Sequence, residues 1–189
     1  EVLSGLVGSE MVIRDRSQLV CVDTFNFTAS ESSPAFVSRS MWQQQPTTNP
    51  KVQVNALDLM VVLYTSGSTG QPKGVMLSHQ GYANRLAWQQ KTFNLKKGQR
   101  VAQKTSCSFD ISVWELFWPL MHGGIVCPVV NDTVKNPWLF AQWIVDNKIS
   151  VLHFVPSMFG EFISAVANKS FDFSDLRWLI VSGEALPVS

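Results

Sequence analysis

Charge is scarce in this chain: only 15% of its 189 residues are Asp, Glu, Lys or Arg, and 15 basic against 14 acidic side chains leave a net charge of +1. The basic residues are scattered, so there is no electrostatic footprint for nucleic acid or an anionic membrane, and neither partner is expected. Cysteine is equally sparse. Cys21, Cys107 and Cys127 form no CxxC pair and leave one thiol unmatched however they are joined. That pattern argues against a disulfide framework and against a zinc site, and fits a reducing cytoplasm. Long apolar runs are missing too: Trp114–Met121 is short and carries Glu115, far from the roughly 18 apolar residues of a spanning helix. The N-terminal Glu1-Val2-Leu3-Ser4-Gly5 has neither the basic flank nor the apolar core of a signal peptide. Glu115 and Glu161 stand without a partner at acid/base spacing, and nothing resembles a nucleophile triad.

What is abundant is apolar mass. Hydrophobic residues make up 46% of the chain, with seven tryptophans and twelve phenylalanines, which predicts a globular domain with a large core. Leu19-Val20-Cys21-Val22 reads as a short strand ending at Asp23, and the polar, Pro-containing stretch from Thr24 to Pro50 as a long surface connection. From Ala56 onward strands and helices alternate. Leu59–Leu63 is a continuous apolar run of the kind buried on both faces of a sheet. Ser78 is placed to cap a helix over roughly residues 79–90, and further helices are expected over Ser112–Leu120, Trp138–Asn147 and around Phe159–Val166. The helix over Trp138–Asn147 places Leu139, Phe140, Trp143 and Ile144 on one face; the last places Phe159, Phe162, Ile163 and Val166 there. Strands are expected at Arg100–Thr105, Ile125–Val130, Val151–Val155 and Trp178–Val181. The order implies an α/β fold with a mostly parallel sheet flanked by helices on both faces. Ligands of such sheets bind beyond the carboxyl ends of the strands, which directs attention to the residues just after each strand.

The first such segment is Tyr64-Thr65-Ser66-Gly67-Ser68-Thr69-Gly70-Gln71-Pro72-Lys73-Gly74. Hydroxyls, glycine N–H groups and a lysine delivered to one point suit a phosphate group. It is not the nucleoside-triphosphatase loop G-x-x-x-x-G-K-S/T, because counting from Gly67 puts Pro72 at the second glycine and Gly74 after Lys73. No G-x-G-x-x-G dinucleotide fingerprint occurs. The second segment runs Ser108-Phe109-Asp110-Ile111-Ser112-Val113-Trp114-Glu115-Leu116-Phe117-Trp118-Pro119-Leu120. Asp110 can pair there with an ammonium group or act as a helix N-terminal charge, and Trp114, four residues on, shares its helix face.

The first segment resembles the phosphate loop of the adenylate-forming (AMP-binding) superfamily: acyl-CoA synthetases, luciferases and the adenylation domains of non-ribosomal peptide synthetases. The second is similar to the FDxSVWE segment of the adenylation domains that activate amino acids. The resemblance implies that Thr65, Ser66, Gly67, Ser68, Thr69, Gly70 and Lys73 bind the phosphates of ATP. It also implies a substrate pocket lined by Asp110, Ile111, Trp114, His153, Ile180 and Ser182, a partial set that resembles serine-activating domains. His153 reads equally well as a satisfied core histidine. Gly183 and Glu184 would lie on the adenine side. ATP and Mg2+ are the implied cofactors, with the metal ligand expected outside this chain. The amino acid, a carrier-protein domain with its phosphopantetheine arm and neighbouring synthetase domains are the implied partners.

Residues 1–55 are read as an N-terminal segment with a long polar connection, and residues 56–189 as a partial adenylation domain. The N-x-Y-G-P-T-E segment, the ribose-binding Asp and the small C-terminal lobe with its catalytic Lys have no counterpart in the sequence. The 189 residues alone are therefore expected to bind ATP poorly and to lack adenylation activity. An acyl- or aryl-acid ligase of the same superfamily, and a non-catalytic remnant that serves as a binding or assembly piece, remain open at this point.

Overall fold

In a computed structural model the structure describes residues 18–20, 35–37, 41, 43–65 and 72–185. The chain divides into two compact units, Glu1–Gln53 and Val54–Ser189. In the first, β1 (Gln18–Val20) pairs in parallel with β2 (Ala35–Val37), Leu19 opposite Phe36. The strand at β2 corrects the expectation of an unbroken surface connection; three apolar residues are too few to show a period in sequence. Cys21 and Val22, expected to extend β1, lie outside the described residues.

The second unit opens with β3 (Leu59–Thr65) and β4 (Lys73–Ser78), an antiparallel ribbon of two strands. Two expectations are corrected here. Lys73–Ser78 forms a strand of its own before the first helix, and β3 is not buried on both faces, with Leu59 53% exposed and Val62 38% exposed. The reason is pairing: among the described residues β3 hydrogen-bonds only to β4, outside the parallel sheet, so no layer of helices covers both of its faces.

Helix α1 (His79–Phe93) starts where the Ser78 hydroxyl accepts from the Gly81 N–H at 3.3 Å and stops at Asn94, whose left-handed backbone (φ 49°) closes the last turn. The parallel sheet follows, with β5 (Arg100–Gln103), β6 (Ile125–Pro128), β7 (Val151–Phe154) and β8 (Trp178–Val181) in the spatial order β6-β5-β7-β8. Its connections carry α2 (Ile111–Met121), α3 (Asn131–Lys135), α4 (Pro137–Asp146) and α5 (Pro156–Val166), the helical crossovers that parallel neighbours require. Asn136 caps α4 by accepting from the N–H groups of Trp138 and Leu139 at 3.1 and 3.3 Å. Proline at the first position of α4 and α5 forfeits no hydrogen bond.

Side-chain alternation splits the core of this sheet into two layers. Val101 and Val151 pack with Leu86 of α1 and with Trp114 and Trp118 of α2. Their neighbours Ala102, Leu152 and Phe154 pack on the other side with Phe140, Ala141 and Ile144 of α4 and Phe162 of α5. All four residues of β7 are buried, as a strand covered on both faces must be. Two residues expected on the apolar stripes lie at their margins instead: Leu139 is 57% exposed and Ile163 45% exposed. Each is one position, hence about 100° around the helix, from the buried Phe140 or Phe162.

Candidate functional site

The carboxyl ends of β5, β7 and β8 converge on residues 104–110, 155–157 and 182–184. His153, next to last in β7, is only 2% exposed. Its Nε2 lies 2.9 Å from the Ser182 hydroxyl just after β8, and its ring meets Trp114 edge to face at 5.9 Å between centroids. Ile180, the strand partner of His153, and Ile111 at the start of α2 pack against the same cluster as Trp114. The structure thus gathers Ile111, Trp114, His153, Ile180 and Ser182 on the α1/α2 side of the sheet.

Burial first, and then the nearby Lys104 ammonium, push the imidazole of His153 down from 6.5 to about 4, against the opposing pull of Ser182 and Asp110. At neutral pH the ring is therefore uncharged. Its Nδ1 is buried without a hydrogen-bond partner among the described residues. Whichever tautomer is present, that nitrogen has one unused function: an acceptor when Nε2 carries the proton, a donor when it does not. A histidine touching a serine suggests a base and a nucleophile, but nothing bonds Nδ1 to orient the ring, and an imidazole titrating near 4 is a weak base. Together the two side chains can offer hydrogen bonds to a polar group.

Asp110 occupies the cap position of α2 with helical backbone (φ −60°, ψ −29°), and its side chain makes no capping bond. The carboxylate is exposed. After burial, its charge is the second influence raising the Tyr82 phenol, and it partly offsets the lowering of the Arg85 guanidinium by burial. Its charge is felt by Tyr82 and Arg85 of α1 and by the buried His153. Tyr82 itself has a buried hydroxyl with no partner among the described residues.

Sequence reasoning passed over Glu115. Its side chain is fully buried, with Oε2 accepting from the N–H groups of Lys104 (3.1 Å) and Thr105 (2.9 Å) and Oε1 from the Thr105 hydroxyl (2.7 Å). Burial raises this carboxyl, and the bonds from Thr105 oppose the rise. A carboxylate inside the otherwise apolar Ile111–Met121 run is the signal that could have marked it.

At the far end of the sheet, Glu184 accepts from both the N–H and the hydroxyl of Ser157 at 3.1 Å, tying the segment after β8 to the first turn of α5. Between them Gly183 has φ +98°, and a Cβ there would lie 3.3 Å from Val155 Cγ1. Thr65 and Lys73 face each other as register partners at the loop end of the β3–β4 ribbon, both exposed. Ser66, Gly67, Ser68, Thr69 and Gly70, which join them, lie outside the described residues. Among the described residues no three His, Cys, Asp or Glu side chains form a group that could hold a metal ion. No helix among them is long and apolar enough to cross a membrane.

Residues 6–189 match the AMP-binding enzyme family. The chain is 45% identical over 129 residues to vanchrobactin synthetase VabF of Vibrio anguillarum, covering 66% of this chain and 5% of that protein. It is 40% identical over 128 residues to enterobactin synthase component F of Escherichia coli K12, covering 67% of this chain and 10% of that protein. Among solved structures it is similar to the nonribosomal peptide synthetase FmoA3 with α-methyl-L-serine-AMP bound: TM-score 0.68, 25% identity, 82% of this chain and 17% of that one. The chain thus spans a small part of the length of the relatives it matches.

Proposed function

This chain belongs to the AMP-binding enzyme family, and on that premise we propose that it is the part of a nonribosomal peptide synthetase adenylation domain that selects the amino acid, with L-serine as substrate. In the proposed reaction the serine carboxylate attacks the α-phosphorus of ATP. A C–O–P bond forms, the bond to the β-phosphate breaks, and pyrophosphate leaves with aminoacyl-AMP as the product. No protein nucleophile is required, so the residues act by orientation and charge. Asp110 pairs with the α-ammonium, which an acyl-CoA ligase does not need to recognise. Ile111, Trp114 and Ile180 wall the pocket, and His153 with Ser182 bonds the hydroxymethyl group.

On the same reading Thr65, Ser66, Gly67, Ser68, Thr69, Gly70 and Lys73 hold the phosphates, with Gly183 and Glu184 on the adenine side. The product is then loaded on the phosphopantetheine thiol of a carrier-protein domain. The observation that carries the choice of serine is the buried, uncharged His153, bonded to Ser182 under the edge of Trp114 with Nδ1 still unpartnered. A site built to hydrogen-bond a hydroxyl rejects analogues lacking it, because its own polar groups would be left unpaired. A related synthetase that binds α-methyl-L-serine-AMP supports the same choice.

The test is ATP–pyrophosphate exchange across a panel of amino acids, run on the full-length protein that carries this sequence. Serine is expected to give the fastest exchange. Equal rates for all amino acids, or exchange with amine-free carboxylates alone, would overturn the assignment.

A further inference from the structure

Residues 106–110, which carry Asp110, are all exposed, so packing does not hold this carboxylate in place. Hydrogen bonds do. At the near end, Gln103 Nε2 donates to the Thr105 carbonyl at 2.9 Å, and the N–H groups of Lys104 and Thr105 and the Thr105 hydroxyl all donate to Glu115. At the far end the Phe109 N–H donates to the Ser106 carbonyl at 3.0 Å, and Ser112 donates to the Phe109 carbonyl through both its N–H (3.1 Å) and its hydroxyl (2.7 Å). Glu115 sits on α2, five positions after Asp110, so its bonds tie the strand end directly to the helix that Asp110 begins. A loop that needed only a filled core at this point could have used an apolar residue; burying a carboxylate is unfavourable unless its bonds are needed.

We propose that Glu115 is a positioning residue for the amino-acid site: by bonding Lys104 and Thr105 it fixes residues 104–110 and so sets where Asp110 meets the substrate ammonium. This rests on the reading of Asp110 as the ammonium partner. Gln at this position keeps the geometry, since its carbonyl can accept both N–H groups and its amide can donate to the Thr105 oxygen. Ala removes all three bonds.

The test measures, in the full-length protein, KM for serine, KM for ATP and the inhibition constant of 3-hydroxypropanoate, which has the carboxylate and hydroxyl but no amine. Glu115→Ala is expected to raise KM for serine about ten-fold while leaving KM for ATP and the 3-hydroxypropanoate constant within about two-fold. Glu115→Gln is expected to restore the serine value to within about three-fold of the unsubstituted protein. In an Asp110→Ala background the Glu115→Ala penalty should largely vanish, because residues acting as a unit are not additive. Should Glu115→Ala fail to fold, Thr105→Val removes one of the three bonds and is expected to raise KM for serine several-fold with KM for ATP unchanged. Equal losses for serine, 3-hydroxypropanoate and ATP, or penalties that multiply fully with Asp110→Ala, overturn the positioning role and leave the amino-acid reading intact. Absence of any amino-acid-dependent exchange in the unsubstituted protein overturns both.

Discussion

His153 and Phe154 are neighbours in β7, yet they point into layers of opposite character. Phe154 enters a dry layer of rings, 5.0 Å from Phe162 and 5.9 Å from Phe140 between centroids. The Lys104 ammonium lies over its face at 5.3 Å, a contact compatible with an apolar wall. His153 enters the layer of α1 and α2, where the Tyr82 hydroxyl, both amide atoms of Gln89 and its own Nδ1 are buried without partners among the described residues, against one such atom, Arg100 Nε, on the Phe154 side. Buried polar groups ordinarily find partners, and those that do not mark places where stability yields to another requirement. One layer is almost wholly apolar; the other holds the residues assigned to the proposed pocket.

Phe154→Ala breaks this contrast most severely. Removing the ring from a sealed aromatic layer is expected to lower stability by about 3–5 kcal/mol, read as a shift in the denaturant midpoint; a loss below about 1 kcal/mol would show that the layer is not the anchor. The α2 side has rings of its own, Trp114 and Trp118, and adds a close backbone approach. A Cβ on Gly124 would lie 2.9 Å from Leu95 Cδ2 and 3.1 Å from the Gln99 carbonyl oxygen, so Gly124→Ala is expected to destabilise by about 1–3 kcal/mol.

His153→Leu should separate function from stability. It removes one hydrogen bond but also a buried unpaired nitrogen, so stability is expected to stay within about 1 kcal/mol of the unsubstituted protein while serine preference is lost. The same ring makes stability depend on pH. The folded imidazole titrates near 4 against 6.5 for an ordinary histidine, so the unfolded chain binds more protons between those values. The stabilisation is therefore complete above about 6.5 and declines as pH falls toward 4. Unfolding midpoints followed from pH 7 to pH 4 should show that component in the unsubstituted protein and lack it in His153→Leu.

The sheet and its helices were legible in sequence because local signals and tertiary packing agree there. Ser78 and Asn136-Pro137 announce helix starts that the structure uses as caps, and the apolar runs at Val151 and Trp178 become adjacent parallel strands. The β3–β4 ribbon was not, since an apolar run looks the same whether helices or solvent cover it, and only the partner strand decides. In the site, residue type marked Asp110, Trp114, His153 and Ser182 through a family resemblance, and the His153–Ser182 contact joins residues 29 apart in the chain. Glu115 was missed because its partners include the backbone N–H groups of Lys104 and Thr105, and backbone donors leave no trace in residue identity.

The difference between the two layers comes to a single question: whether the polar one reads an amino acid. The most direct measurement compares serine-dependent ATP–pyrophosphate exchange by the full-length protein with that of its Asp110→Ala variant, alongside the binding of 3-hydroxypropanoate to each. Loss of the ammonium's partner is expected to reduce kcat/KM for serine by about 100-fold or more while 3-hydroxypropanoate binds both proteins alike. Serine exchange unchanged by Asp110→Ala would contradict the assignment of this pocket to an amino acid.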